Sequence, residues 1–328
     1  MRRRAILGSG GFTLLSGSWP AQFSWAQEAP YPSRPVQMVV AIQAGGAIDV
    51  AGRTAAEAMG SRLGQTFFVD NRPGAGGLIG MTDVARSKPD GYNLLFGTAG
   101  PITILPQRQS VLKTIDPVKA FVPVALLYSV PMVVIIKKNS RFKSLRELID
   151  FAKLNPGSLT YGSTGVGSIN HIVGELFSSL AGINLLHVPY KGTSPILTDM
   201  IGDRLDLYFA TLPSWKSASD KFTVLAVASK KRSGFAPEFP TSAEAGLPGF
   251  EFDNWGGVFA PAATPQAIVD KLRRALEDAM NDPLVREKFR SAGNEPDFRA
   301  GAQAKAEIEA EFTKMKNLVR DRQLNLDF

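Results

Sequence analysis

The chain of 328 residues contains no cysteine. That excludes a disulfide framework, a thiol nucleophile and any cysteine-based metal site. Histidine is nearly absent too, with only His171 and His187 present. No H-E-x-x-H and no G-x-S-x-G occurs, so the zinc-hydrolase and α/β-hydrolase readings lack their local signatures. Past the first residues no apolar run approaches the length of a membrane helix. Charge of either sign is modest: the formal excess is +7, scattered and without an aromatic-interleaved basic stripe, so no nucleic-acid partner is expected. These absences leave no catalytic residue, no metal ligand set and no cofactor to name, and they favour a binding protein over an enzyme.

What is present begins with an export signal. Arg2-Arg3-Arg4 is a basic start, Ala5 to Leu15 is small and mostly apolar, and Ser24-Trp25-Ala26 offers small residues for cleavage. Residues 1–26 therefore read as a signal peptide. Arg3-Arg4-Ala5-Ile6-Leu7 also fits a twin-arginine pattern, and the ordinary secretory reading stays open beside it. The mature chain is expected to be soluble and exported.

Three strands then run into loops of small residues. The run 36–42 is apolar and opens into Gly45-Gly46-Ala47-Ile48-Asp49. Tyr92 to Phe96 opens into Gly97-Thr98-Ala99-Gly100. Leu159-Thr160-Tyr161 opens into Gly162-Ser163-Thr164-Gly165-Val166-Gly167-Ser168, after which Ile169, Ile172, Val173, Leu176 and Phe177 keep helical spacing. The last is nearly a phosphate loop, but Ser168 stands where its lysine would be, so a nucleotide is not expected. A strand, a glycine loop and a helix N-terminus present unpaired amides to an anion; the bland alternative is a helix cap with no ligand. The order β-α-β-α-β before residue 100, repeated after 144, predicts an α/β fold whose ligand lies beyond the C-terminal strand ends. The apolar stretch 121–136, broken by Pro123 and Pro131, reads as a crossing between two halves.

Seven short motifs occur in order: Tyr31-Pro-Ser-Arg-Pro35, Asn71-Arg-Pro-Gly-Ala-Gly-Gly77, Pro89-Asp-Gly-Tyr92, Tyr161-Gly-Ser163 with Gly167, His187-Val-Pro-Tyr-Lys-Gly192, Leu197-Thr-Asp199 and Glu244-Ala-Gly-Leu-Pro-Gly249. Together they resemble the substrate-binding proteins of tripartite tricarboxylate transporters, the Bug family, over essentially the whole mature chain. The resemblance implies a two-lobed periplasmic binding protein, type II-like, each lobe a mostly parallel sheet flanked by helices. Two crossing segments form the hinge. Residues 31–123 and 222–328 are expected to form one lobe and 124–221 the other. It implies a small organic carboxylate as ligand, the membrane subunits of a tripartite transporter as partner, and a monomer. A sensing protein that reports to a membrane sensor kinase would use the same fold.

The expected ligand contacts are Gly45, Gly46, Ala47 and Asp49 on one lobe, Thr98, Ala99 and Gly100 at the boundary, and Ser163, Thr164, Gly167, Ser168, Tyr190 and Thr211 on the other. Asp49 is either an N-cap or an acceptor for ligand or water. Tyr190 is either a contact or a core aromatic, and Trp255 a lid residue or hinge packing. Two places depart from the family pattern. Ala44-Gly45-Gly46-Ala47-Ile48-Asp49 lacks the usual proline and polar residue, and Phe209-Ala210-Thr211-Leu212-Pro213 lacks the usual Asp-Asn pair. Both changes make the cleft less polar, which fits either a more apolar or aromatic carboxylate or a divergent paralogue.

Overall fold

The computed structural model describes residues 30–216, 218–324 and 326, and the expected signal peptide lies outside them. The chain divides into two compact units at Tyr31/Pro32; the architecture below is that of the unit beginning at Pro32. In order, the elements are β1 (Val36–Val40), α1 (Ala47–Leu63), β2 (Phe67–Asn71), α2 (Leu78–Ala85) and β3 (Asn93–Thr98). A π-helical turn (Gly100–Ile104), α3 (Gln109–Leu112) and α4 (Pro117–Ala120) lead to β4 (Phe121–Ser129) and β5 (Met132–Lys137). Then come α5 (Leu145–Leu154), β6 (Thr160–Ser163), α6 (Ile169–Ala181), β7 (Leu186–Pro189), α7 (Thr193–Ile201) and β8 (Leu207–Thr211). The rest is α8 (Leu212–Lys216), β9 (Phe222–Val227), β10 (Gly256–Pro261), α9 (Gln266–Met280), α10 (Pro283–Ser291), β11 (Glu295–Ala300) and α11 (Gly301–Asp321).

The strands form two mixed sheets flanked by helices. The first has the order β11-β4-β10-β3-β1-β2 and the second β7-β6-β8-β5-β9. Each holds one parallel trio, β2-β1-β3 or β7-β6-β8, followed by antiparallel strands. The sheets are thus mixed rather than mostly parallel, because the strands beside the crossings, β4, β5 and β10, run against their neighbours. The central strand β1 reads as a buried strand for a local reason: Val36, Met38, Val39 and Val40 are all buried, as a parallel strand covered on both faces must be. α1 lies close on the sheet because its inner face is small. A Cβ on Gly52 would come within 2.8 Å of Val40 Cγ2.

The crossings lie later than the sequence suggests. β4 belongs entirely to the first sheet, β5 and β9 to the second, and β10 returns to the first. By strand membership the chain changes sheets at Val130-Pro131 and again between β9 and β10, not at 123/124 and 221/222. The apolar run 121–136 hides the first change, because two buried strands of different sheets read as one stretch. The two crossings run side by side: Val130 N–H donates to Asn254 O at 3.2 Å, and Pro131 bridges Asp253. Ser129 hydrogen-bonds Asp253, which also pairs with Arg299 at 2.8 Å.

α11 joins both halves. Ala304 and Ile308 pack with Trp255 and Phe259 in the core of the first sheet, while Met315 and Leu318 pack with Ile172 and Phe177 in that of the second. Glu311 stands between them, accepting from Trp255 Nε1 (2.6 Å) and Thr103 Oγ1 (2.8 Å). Burial pushes its carboxyl up to about 7. Trp255 is therefore a buried packing residue beside the crossing, not a lid.

Candidate functional site

In each sheet the chain order reverses inside the parallel trio, between β1 and β3 and between β6 and β8. Ligand crevices open at such points, outside the carboxyl ends of the strands. Four segments lie there: the 41–46 loop, 98–100, 163–168 and 211–213.

On the first sheet, Gly46 is the N-cap of α1, and no side chain caps that helix. Gly45 and Gly46 have open space beside them, and Gly45 takes φ +94°, which a side chain would strain. Ala47 is exposed at the first helical position. Asp49 is not the N-cap. It lies in the first turn, 2% exposed, with both oxygens engaged: Gly45 N–H and Arg53 Nε donate to Oδ2 at 2.9 and 3.0 Å, and Asn71 Nδ2 donates to Oδ1 at 2.8 Å. Burial alone would raise its pKa, but these bonds outweigh burial and hold it below the usual carboxylate value. Its visible work is to staple the loop. Ile42, Ile48, Phe96, Thr98 and Pro101 line a small apolar hollow with room for about one water, partly open to solvent.

On the second sheet, the glycine loop is held from within. Ser163 is fully buried; its Oγ accepts from Gly165 N–H (3.1 Å) and lies 3.0 Å from Gly165 O and 2.6 Å from His187 Nε2. Thr164 Oγ1 donates to Asn170 Oδ1, and Asn170 Nδ2 donates to Phe209 O. Ser168 is the N-cap of α6 and accepts from His171 N–H at 3.4 Å. Gly167, at φ +75°, donates its N–H to His171 Nδ1 at 3.0 Å. The hydroxyls expected to meet the ligand are thus bonded within the loop. The outward-facing parts are backbone: Gly165 has open space beside it, at φ +128°.

The two histidines shape this loop. Their rings stack at 4.1 Å, and His187 also stacks on Tyr161 at 5.0 Å. Because Gly167 donates to Nδ1, His171 carries its proton on Nε2 and is neutral. Burial lowers the pKa of His171 against the pull of Glu175; burial and the adjacent His171 lower that of His187 to about 4. The parallel pairing of β6 with β7 sets Tyr161 opposite His187, and no sequence spacing announces that.

A pH dependence follows. A base whose pKa is depressed on folding stabilises the protein above its unfolded value, about 6.5, and loses that contribution as pH falls toward about 4. The whole difference amounts to roughly 3 kcal/mol; the His187 ring is only partly buried, and solvent screening reduces this to about 2 kcal/mol. The wild type should lose more stability between pH 6.5 and 4 than His187→Phe does, in denaturant titrations. With two histidines in the chain, ring proton resonances identify the His187 titration directly; a midpoint near 6.5 would remove the argument.

The remaining expected contacts divide. Gly100 meets the second half: a Cβ there would lie 3.5 Å from Ile169 Cδ1. Ala99 is buried, its N–H donating to Trp255 O, and Thr98 ends β3 beside Gly256. Thr211 ends β8, where its Oγ1 accepts from Ser214 N–H. Tyr190 packs partly buried on the core of the second sheet, and its hydroxyl donates to Asp199 Oδ2 at 2.8 Å on α7. Two residues were missed. Arg108, which follows the turns after β3, donates from Nη2 to Val166 O at 3.3 Å. Asn294, 2% exposed at the turn before β11, donates to Ala47 O. Both act across long sequence separations, so no local pattern marks them.

A family model described as the tripartite tricarboxylate transporter family receptor matches residues 51–324. A protein of the tcbD–tcbE intergenic region of a Pseudomonas species is 36% identical over 294 residues, covering 89% of this chain and 86% of that one. The solved structure of the periplasmic binding protein BugD is similar at 34% identity and TM-score 0.69, over 89% of this chain and 98% of that one. An R. palustris protein solved with adipate is similar at 32% identity and TM-score 0.71, over 88% and 97%.

Proposed function

The chain belongs to the tripartite tricarboxylate transporter receptor family, and from that premise we propose that it captures a small organic carboxylate between its two sheets, without chemistry, and delivers it to the membrane subunits of a tripartite transporter from the periplasm. The observation that carries this reading is the meeting of two strand-end crevices, with Gly100 of the first sheet's side against Ile169 at the start of α6. One carboxylate of the ligand lies beside Val166 just before the start of α6, next to the Gly165 and Gly167 amides that Ser163 and His171 already engage. The uncapped start of α1, at Gly46 and Ala47, faces it from the other half. The helix termini supply amides and partial positive charge to the anion. Hydrogen bonds to a carboxylate contribute about 1.5–3 kcal/mol each, so a few reach micromolar affinity. Ser163, Ser168, Asp49 and the histidines hold the loops that bind. Ile42, Ile48 and Pro101 give the first sheet's crevice an apolar border, and with Ala47 and Ala210 near the strand ends this favours a chain-like or aromatic carboxylate over a small polyhydroxy acid.

A thermal-shift panel tests the reading. It holds adipate, benzoate, citrate, glutamate and, as neutral controls, sugars. A ligand at a hundred times its Kd adds about 2.7 kcal/mol to stability, a rise in Tm of several degrees. Adipate or benzoate should raise Tm and the sugars should not. A shift with a neutral sugar and with no carboxylate would overturn the reading.

A further inference from the structure

The glycine loop resembles a phosphate loop that has lost its cation, with Ser168 in the place of the lysine. The fold returns a cation to that place from the opposite side. Arg108 follows the π-helical turn (Gly100–Ile104) and the short turn after it, between Leu105 and Val111, which pack with the core of the first sheet. Its guanidinium lies over Gly167: a Cβ on that glycine would come within 2.8 Å of Nη2. The same nitrogen donates to Val166 O, so the charge is held at the loop rather than merely near it. The segment that carries it is anchored. Arg108 N–H donates to Leu105 O, Arg108 O accepts from Val111 and Leu112 N–H, and Ile104 packs in the core of the second sheet.

We propose that Arg108 is a charge-specificity residue of the carboxylate site, pairing across the cleft with the carboxylate bound at the 165–167 backbone. This rests on the reading given under Proposed function and adds to it the group that separates an anion from a neutral molecule of the same shape. The amides of a helix N-terminus donate to neutral oxygens as well; a guanidinium fixed beside them favours the ionised ligand and contributes through its charge as well as its donors. It also makes affinity depend on ionic strength, because part of the attraction is screened by salt.

The test is calorimetry with adipate and with its neutral diamide on wild type, Arg108→Gln and Arg108→Lys, at low and at high salt. Wild type should bind adipate well over tenfold tighter than the diamide, and more weakly at high salt. Arg108→Gln should weaken adipate binding about 10- to 100-fold, lose most of the preference over the diamide and flatten the salt dependence. Arg108→Lys, which keeps the charge but not the fork, should keep the salt dependence and part of the affinity. A residue that only shapes the loop would change both ligands' affinities together and leave the salt slope alone. That result, or adipate binding within threefold of wild type in Arg108→Gln, would overturn the proposal while the carboxylate reading stands. If Arg108→Gln fails to fold, the Arg108→Lys and wild-type salt series decide the matter. Absence of binding by every carboxylate of the thermal-shift panel in the wild type itself would sink the carboxylate reading, and this proposal with it.

Discussion

Gly167→Asp should abolish carboxylate binding and leave the fold in place. Gly167 sits at φ +75°, a conformation in which most side chains are strained but aspartate is among the better tolerated. Its new Cβ would point at the Arg108 guanidinium, 2.8 Å from Nη2. A carboxylate there pairs with Arg108 after a small shift of that flexible side chain, so the strain is offset in part by a new ion pair. The same carboxylate lies where a ligand's would approach the loop, and like charges at that distance repel strongly in a partly dry site. Affinity for adipate should fall by more than a hundredfold, about 2.7 kcal/mol, while Tm changes by a few degrees at most. Unchanged affinity by calorimetry would take the glycine loop out of the binding site.

A large effect on stability is expected at Gly174. It faces the sheet from the second turn of α6, and a Cβ there would lie 2.2 Å from Tyr161 Cε2 and 2.7 Å from Cδ2 and Cζ. Tyr161 cannot retreat. It is fully buried, its hydroxyl donates to Glu175 Oε1 at 2.8 Å, and Glu175 in turn pairs with Arg322. Gly174→Ala should therefore destabilise by about 3 kcal/mol, the upper end for overpacking a core, although alanine is the better helix former by about 1 kcal/mol. Tm should fall by about 6–10 °C. Because Tyr161 stacks on His187, which holds Ser163, the glycine loop should loosen too, and adipate binding should weaken in the same variant. A Tm within 2 °C of wild type would show that α6 lifts off the sheet freely at this position.

Much of the first half of each sheet was legible residue by residue. The apolar run of β1, the glycine loop after it and the small-residue face of α1 are local patterns, and local patterns decide local structure. The same holds for β6, the loop at 162–168 and the helical spacing of Ile169, Ile172, Val173 and Leu176. Glycine marked the left-handed positions at 45, 165 and 167. Proline and glycine also marked where each strand–helix unit stops, as at Asn155-Pro156-Gly157. From these the α/β class and the side on which a ligand lies could be argued before any coordinates.

Pairing between distant segments could not. β4 and β5 are one apolar run in the sequence and two strands of different sheets in the fold, because each finds its hydrogen-bond partners far along the chain. Ser163 and Ser168 looked like donors to a ligand because hydroxyls near a helix start often are; the fold buries Ser163 and makes Ser168 the cap of α6, and His187 is brought to Ser163 only by the parallel pairing of β6 with β7. Asp49 is drawn into a staple by Asn71, from the end of another strand. The cation that the glycine loop lacks in its own sequence is 58 residues away, in Arg108. The sequence by itself determined the strands, the glycine loops and the α/β class, because dihedral preference and hydrophobic period act over a few residues. The tertiary structure decided which groups hold the loops, because a hydroxyl or a charge takes its role from the partner that folding places within 3 Å of it.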